Sequence, residues 1–330
     1  MSQNIILFLL FLWLILLIFI NYKYRNKIGG ILKLIDKPDK IRKKHKFQVP
    51  LIGAFPLLII FFSYLIIFEP SNIILKKILF LSSIFFFTGV LDDLYEISYV
   101  KKTVISIIIL ILFLNFNNEL LISKAVFETI DLNINLIKSH SLIFTIICLL
   151  ILINAFNFTD GINGISSIIA FFWLLGLMFL TNNTNNYLLL FSIFILINAT
   201  PIFFGKYFLG DNGTLFLGTY IGLETIRIFN FQSENIYYEQ IFIIFMMPGL
   251  DMIRLVFFRL MRNKNPFLPD RNHLHHLLID RYSLLKSLLI YSSLIIIPIF
   301  LDKIFFVKSI YIIIFGIILY ISTYFKLTKF

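Results

Sequence analysis

Apolar and polar residues fall along this chain in long blocks, with little of the period-two alternation of a half-buried strand. Apolar runs occupy residues 5–20, 49–68, 73–91, 102–116, 142–156, 165–180, 187–204, 215–230, 241–260, 284–300 and 304–321. Short polar loops separate them. A perpendicular bilayer-crossing helix wants roughly 20 apolar residues, and most of these runs approach that length. The pattern predicts an all-α polytopic membrane protein of about eleven transmembrane helices, forming a single domain over residues 1–330. One stretch departs from it. Within the longest loop on its side, residues 124–137 include an alternating run from Val126 to Ile134, which predicts a small β-hairpin.

Composition turns this pattern into a choice of solvent. The chain is 59% apolar and only 14% charged, with 40 Phe among 330 residues. Soluble domains are nearer a quarter charged, so the bilayer must take up the excess. A net charge of +11 raises the question of nucleic acid. The cations are not arranged in a stripe interleaved with stacking aromatics, so no nucleic-acid partner is expected. They gather instead in short loops, which reads as topology and contact with anionic lipid. The lone Cys148 cannot form an internal disulfide and reads as a small packing residue.

The same cations orient the chain. No Lys or Arg precedes the first apolar run and no small-residue cleavage site follows it, so it reads as a retained span with its N-terminus outside. That orientation puts 22 of the 29 Lys and Arg residues on the inner side and predicts a cytoplasmic C-terminus. The 124–137 hairpin then lies on the outer face.

Five polar clusters fall on the predicted inner side. The first runs from Asp36 through Lys44 and His45 to Gly53, and the second is Gly89-Val-Leu-Asp92-Asp93. The third spans Asn154 to Gly164 and includes Asn157, Asp160 and Asn163. The fourth is Gly210-Asp211-Asn-Gly213-Thr214, and the fifth runs from Asp251 through Pro266-Phe267 and Arg271 to His273-Leu-His275-His276. Acids at the C-terminal end of an apolar helix oppose its dipole, so local stability does not explain Asp92 and Asp93. Paired carboxylates near membrane depth bind a cation or take part in chemistry, unless they simply face water beyond the helix end. Taken singly, Asn154–Gly164 also reads as a polar turn with Ser166 as a cap, and Gly210–Thr214 as a turn with Thr214 capping the next helix. The histidines could hold zinc, but with Arg271 beside them phosphate contact is the better reading. Together the clusters supply carboxylates for Mg²⁺, amides for an anion and cations for a diphosphate. That is equipment for moving a phosphoryl group onto or off a lipid-bound substrate.

In order and spacing, these clusters resemble the polyprenyl-phosphate N-acetylhexosamine-1-phosphate transferase superfamily, glycosyltransferase family 4. The likeness runs from Ile31 to Asp280. It is greatest to the bacterial branch that transfers N-acetylglucosamine-1-phosphate from its UDP-sugar to undecaprenyl phosphate, chiefly through Asn154–Gly164 and the run from Pro266 to His276. The resemblance implies transfer of N-acetylglucosamine-1-phosphate from the UDP-sugar to undecaprenyl phosphate with release of UMP. That would be the first membrane step of cell-envelope glycan synthesis, at the cytoplasmic face of a bacterial inner membrane. It implies Mg²⁺, with Mn²⁺ as a substitute, and allows a homodimer. Asp92, Asp93, Asp160, His273, His275 and His276 would be the catalytic residues, and Asp211, Asp92 and Asp93 the metal ligands. Lys44, His45, Asn154, Asn157, Asn163 and Arg271 would bind substrate. In three places the chain departs from the pattern. Asn163 stands where the family has a second Asp, Ala54 where it has Gly, and Thr214 where it has Ser. A MurNAc-pentapeptide or modified N-acetylhexosamine donor is the alternative within the same chemistry. A polytopic transporter is the alternative from another class, although no half-to-half similarity supports it.

Overall fold

The computed structural model describes residues 3–38, 47–181, 186–232, 236–263, 265, 271–305 and 307–328. Lys44, His45 and the Pro266–Asp270 stretch of the fifth cluster lie outside the described residues. In chain order the elements are α1 (Gln3–Lys23), α2 (Arg25–Leu32), β1 (Ile35–Asp36), β2 (Val49–Pro50), α3 (Phe55–Phe68), α4 (Ile73–Tyr95) and α5 (Tyr99–Leu114). A 3₁₀ turn (Asn118–Leu120), β3 (Lys124–Phe127), β4 (Leu132–Asn135), α6 (Lys138–Asn157), α7 (Ile165–Leu180) and α8 (Asn186–Phe203) follow. Then come α9 (Gly210–Gln232), α10 (Tyr238–Met261), α11 (Leu274–Arg281), α12 (Leu284–Ile304) and α13 (Ser309–Thr328). The chain is an all-α multi-pass membrane protein. Among the described residues six helices, α1, α4, α6, α10, α12 and α13, are long and apolar enough to cross a bilayer, and α3, α7 and α8 are shorter apolar helices.

Each of the eleven apolar runs corresponds to a helix, and two short helices, α2 and α11, are added at polar loops. The predicted hairpin is present as β3 and β4, paired antiparallel with Lys124 opposite Asn135. Its turn is held by Glu239 of α10, whose carboxylate accepts from the Glu128 and Thr129 amides at 3.2 and 3.0 Å. A second pair, β1 with β2, is only two residues long.

The helix at the centre is α9. It is buried on every face from Asn212 to Ile226, although Asp211, Glu224 and Arg227 make it the least membrane-like in sequence of the long helices. A helix enclosed all round by other helices need not be apolar, provided its polar groups find partners. Arg227 lies inside α9. Its guanidinium meets the fully buried Glu224 at 2.6 Å and also bonds the Tyr187 hydroxyl of α8.

Two kinds of packing fix α9. Its apolar flank joins an aromatic cluster in which Phe61 of α3 stacks on Phe191 of α8 at 3.9 Å, with Phe216 and Tyr220 of α9 alongside. Its N-terminal end sits directly on α4 at Gly89. A Cβ at Gly89 would lie 2.4 Å from the Asn212 Cα and 2.5 Å from the Asn212 nitrogen, both backbone atoms that cannot swing away. Small residues at such crossings let helix backbones approach where lipid offers no hydrophobic drive to association. Gly89→Ala should therefore force α4 and α9 apart, lowering stability by about 1–3 kcal/mol. Gly249→Ala, where nothing lies within 4 Å, should leave the thermal unfolding midpoint in detergent unchanged, so that comparing the two variants checks the contact.

Candidate active site

At the end of α4 the two adjacent acids have different surroundings. Asp93 points at the N-terminus of α9, where backbone N–H groups have no partner within their own helix. Its Oδ1 accepts from the Asp211 amide at 3.1 Å, and its Oδ2 accepts from the Asn212 amide at 3.1 Å and side chain at 2.6 Å. Asp93 thus caps α9 from another helix and complements its dipole. Asp92 instead contacts Lys102 of α5, whose ammonium also donates to Asp211 Oδ2 at 3.0 Å. One half-buried lysine therefore holds two carboxylates that would otherwise repel each other.

By its residues alone Gly210–Thr214 reads either as a turn with Thr214 capping the following helix or as the carrier of a cation ligand, Asp211; the turn is not what forms. The segment is instead the first turn of α9, and the capping side chain is Asp93. Asp211 thereby sits in a rigid helix rather than in a loop. Asn157, at the end of α6, completes the cluster. With its amide oriented to satisfy its neighbours, its nitrogen donates to Asp211 Oδ1 at 3.0 Å and Thr214 Oγ1 at 2.6 Å, while its oxygen accepts from Lys102 at 3.2 Å.

Close by, Leu51–Gly53 runs on from β2 without regular structure, and its carbonyls need partners at the helix ends. Asparagines supply three of them. Asn212 donates to Leu51 O at 3.0 Å, Asn21 of α1 to Ile52 O at 3.1 Å and Asn198 of α8 to Gly53 O at 2.7 Å. With Pro50, the same stretch pairs with the approach to α9, where the Phe208 amide donates to Pro50 O at 2.8 Å and the Gly53 amide to Phe208 O at 2.9 Å.

From Asn157 the chain turns through residues 158–164 into α7, with Gly164 at φ +83°, a left-handed conformation that favours glycine. Ser166, read as a possible cap, instead donates its hydroxyl to Asp160 Oδ1 at 2.8 Å. Burial, with Asp211 and Asp36 adding repulsion, pushes the Asp160 carboxyl up to about 7 against the opposing pull of Ser166. Gly161 forms the floor for α11. A Cβ there would lie 2.2 Å from His275 Nε2 and 2.7 Å from His276 Nε2. These two histidines are buried, and burial together with neighbouring positive charge lowers both, His276 to about 4 and His275 well below its usual value. At neutral pH they are neutral rings able to donate one N–H each. Among the described residues, both ring nitrogens of His275 and Nδ1 of His276 have no hydrogen-bond partner.

His273 is held by Asp251 of α10, and ligating atoms of Asp251, His273 and His275 lie within 4.8 Å of one another, a cluster that could hold a metal ion. Arg271 pairs with Asp280 at 3.0 Å. Asn154 turns back onto its own helix, donating to Leu150 O at 2.7 Å. Asn163 lines a cleft of about 420 Å³ with Arg25, Asn26, Gln48, Lys206 and Phe208. The structure therefore joins Asp92, Asp93, Asn157 and Asp211 in one cluster and His273, His275 and His276 in a second, with Asp160 and Gly161 between them.

Lys102, Asn212 and Asp251 were not picked out from the sequence as groups at the site. Lys102 was counted only as a topology cation, although its place nine residues beyond Asp93, one turn into the next helix, was a usable signal.

Asp160 yields a measurable pH effect. An unfolded Asp titrates near 3.9, so between that pH and about 7 the folded chain keeps a proton that the unfolded chain has lost. The resulting stability is present below pH 4 and disappears as pH rises through 7, amounting to roughly 2–4 kcal/mol. In protein free of divalent cations, the thermal midpoint should fall as pH rises from about 4 to about 7 and then level off, and Asp160→Asn should flatten that slope.

Comparison with known proteins agrees with this arrangement. The family model described as glycosyl transferase family 4 matches residues 75–229. That range runs from early α4 nearly to the end of α9 and contains the whole acid cluster. The undecaprenyl-phosphate alpha-N-acetylglucosaminyl 1-phosphate transferase of Thermotoga maritima is 32% identical over 264 residues, covering 79% of this chain and 78% of the relative. The enzymes of the same name from Escherichia coli K12 and Salmonella typhimurium are 27% identical over 288 and 286 residues. Those matches cover 82% and 81% of this chain and 74% of each relative. With the capped helix and its paired acids inside the matched region, and a relative 32% identical over 79% of the chain, this chain belongs to glycosyl transferase family 4.

Proposed function

We propose that the protein transfers N-acetylglucosamine-1-phosphate from a UDP-sugar to undecaprenyl phosphate and releases UMP. In this reading the N-terminus is outside and the site faces the cytoplasm of a bacterial cell. The observation that carries the proposal is the meeting of Asp92, Asp211, Asn157 and Lys102 at one end of the helix bundle, beside a loop floored by neutral histidines. The names of the relatives supply the acceptor and the transferred group. The excess of cations on one side supports the orientation.

The donor set suits a hard divalent cation, which takes oxygen ligands. The Asp92 and Asp211 carboxylates and the Asn157 carbonyl already converge on one positive charge, the Lys102 ammonium. These three side chains would hold Mg²⁺, with Mn²⁺ as a substitute. Asp93 is placed otherwise, because both its oxygens are engaged at α9, and we assign it to positioning. The bound cation would supply charge neutralisation for the diphosphate.

The remaining chemistry belongs to the chain. A phosphate oxygen of the lipid attacks the sugar-side phosphorus of the donor. A new P–O bond forms, the bond to the bridging oxygen breaks, and UMP leaves with that oxygen. No proton transfer is required, since the lipid phosphate is already ionised at neutral pH. The obstacle is repulsion between two anions, so preorganised positive charge and N–H donors should provide most of the acceleration. Lys102 holds the acids in register. His275 and His276 offer buried N–H groups that substrate oxygens would satisfy. The cleft lined by Arg25, Lys206, Asn163 and Phe208 has the size of a small-ligand site, with cations, amides and an aromatic face for a nucleotide.

Purified protein in detergent, given undecaprenyl phosphate, UDP-N-acetylglucosamine and Mg²⁺, should release UMP and form lipid-linked sugar phosphate, with both lost on chelation. Asp211→Asn and Lys102→Met should each reduce turnover on the order of 10²–10³-fold. Failure to turn over any UDP-N-acetylhexosamine, in folded protein that also binds none, would defeat the proposal.

A further inference from the structure

Asp251 lies near the middle of α10, about 15 Å from that helix's C-terminal end at 1.5 Å per residue. It is 1% exposed. A bare carboxylate there would be costly, and this one is fully engaged. Oδ1 accepts from Arg254 at 2.8 Å and from the Tyr320 hydroxyl of α13 at 2.8 Å. Oδ2 faces His273 Nδ1 at 2.9 Å. The Leu274 amide, at the N-terminus of α11, reaches the two oxygens at 3.1 and 3.3 Å. Arg254 also donates to Asn272 O at 2.7 Å, so α10 grips the chain on both sides of His273.

Two consequences follow for the ring. A carboxylate opposite Nδ1 makes Nδ1 the protonated nitrogen and leaves Nε2 with its lone pair when the imidazole is neutral. The ring is also fixed in direction. It stacks on His275 with centroids 5.4 Å apart and meets Phe158, the first residue after α6, at 6.0 Å. His273 is therefore wedged between its anchor and the loop that carries Asp160 and Gly161. The saturation of both Asp251 oxygens argues for orientation of the ring over ligation of a cation by this trio.

We propose that Asp251 is a positioning residue for the transfer reaction, acting through His273 by fixing its tautomer and aiming Nε2 toward the substrate side. The inference rests on the transferase reading given above. Asp251 itself touches no substrate.

The test uses the full chain in detergent, in two parts. Histidine labelled with ¹⁵N reports the tautomer directly, with His273→Gln identifying the signal. Wild-type His273 should show a protonated Nδ1, and Asp251→Asn should move the ring to the other tautomer or to a mixture. In the assay with UDP-N-acetylglucosamine, undecaprenyl phosphate and Mg²⁺, Asp251→Asn should reduce kcat about 10–100-fold, as loss of an orienting partner does elsewhere. KM for both substrates should change less than about 3-fold. A wild-type ring protonated at Nε2 would overturn the inference, and that measurement stands even if the variant does not fold. So would a variant with normal kcat, or one whose loss lies wholly in KM. Absence of UMP release by wild type would instead count against the transferase reading, while the tautomer measurement still decides the placement of Asp251.

Discussion

A carboxylate carried on one membrane helix and spent on the N-terminus of another is the interaction on which this site depends. It occurs twice, with Asp93 of α4 on α9 and Asp251 of α10 on α11. A helix that begins near the bilayer edge exposes N–H groups that water cannot be relied on to satisfy, and each unpaired group there is expensive. A carboxylate satisfies one or more of them, two for Asp93 and one for Asp251, and matches the sign of the helix dipole. In both cases the capped helix carries a candidate site residue in or beside its first turn, Asp211 in α9 and His273 at the start of α11. The cap that stabilises the helix is thus also what aims the chemistry.

Around these two anchors the polar equipment is sorted by job. Asp92 and Asp211 face each other across Lys102, the pair proposed above for a cation, while the neighbouring Asp93 caps α9. His273 is fixed by an acid, while His275 and His276 lie against Gly161 as neutral rings. Glu224 and Arg227, deeper in α9, show the contrast. They satisfy each other and Tyr187, and so let a polar helix occupy the centre of the bundle without exposing charge. Close approach at Gly89 and Gly161 makes both anchors possible, since a side chain at either position would separate the partners.

Much of this was legible in the sequence. Apolar run length located every long helix, because the bilayer imposes a span that composition must meet. Alternation found the β3–β4 hairpin for the same kind of reason. The polar clusters named most of the residues that the fold brings together at the candidate site, since charge at helix ends in a membrane protein is costly. Tertiary assignments were not legible. Gly210–Thr214 has the composition of a turn, and only the presence of Asp93, more than a hundred residues away, makes it the start of a helix. Lys102 looked like one of many inner cations until its contacts separated it from Lys101. Asp251 was visible as the first residue of a cluster, but nothing local says which histidine it holds. Asn163 and Asn154 lie in one motif, yet one lines the cleft while the other bonds its own helix.

The central claim is that adjacent acids divide the work, Asp92 with Asp211 for the cation and Asp93 for the helix that carries Asp211. The most direct measurement is Mn²⁺ binding followed by electron paramagnetic resonance on wild type and on Asp92→Asn, Asp93→Asn and Asp211→Asn. The account predicts one site in wild type that is lost in Asp92→Asn and in Asp211→Asn. It predicts that Asp93→Asn keeps the site with reduced affinity, since the amide oxygen can still accept from α9. Loss of the site in Asp93→Asn together with its retention in Asp92→Asn would contradict it.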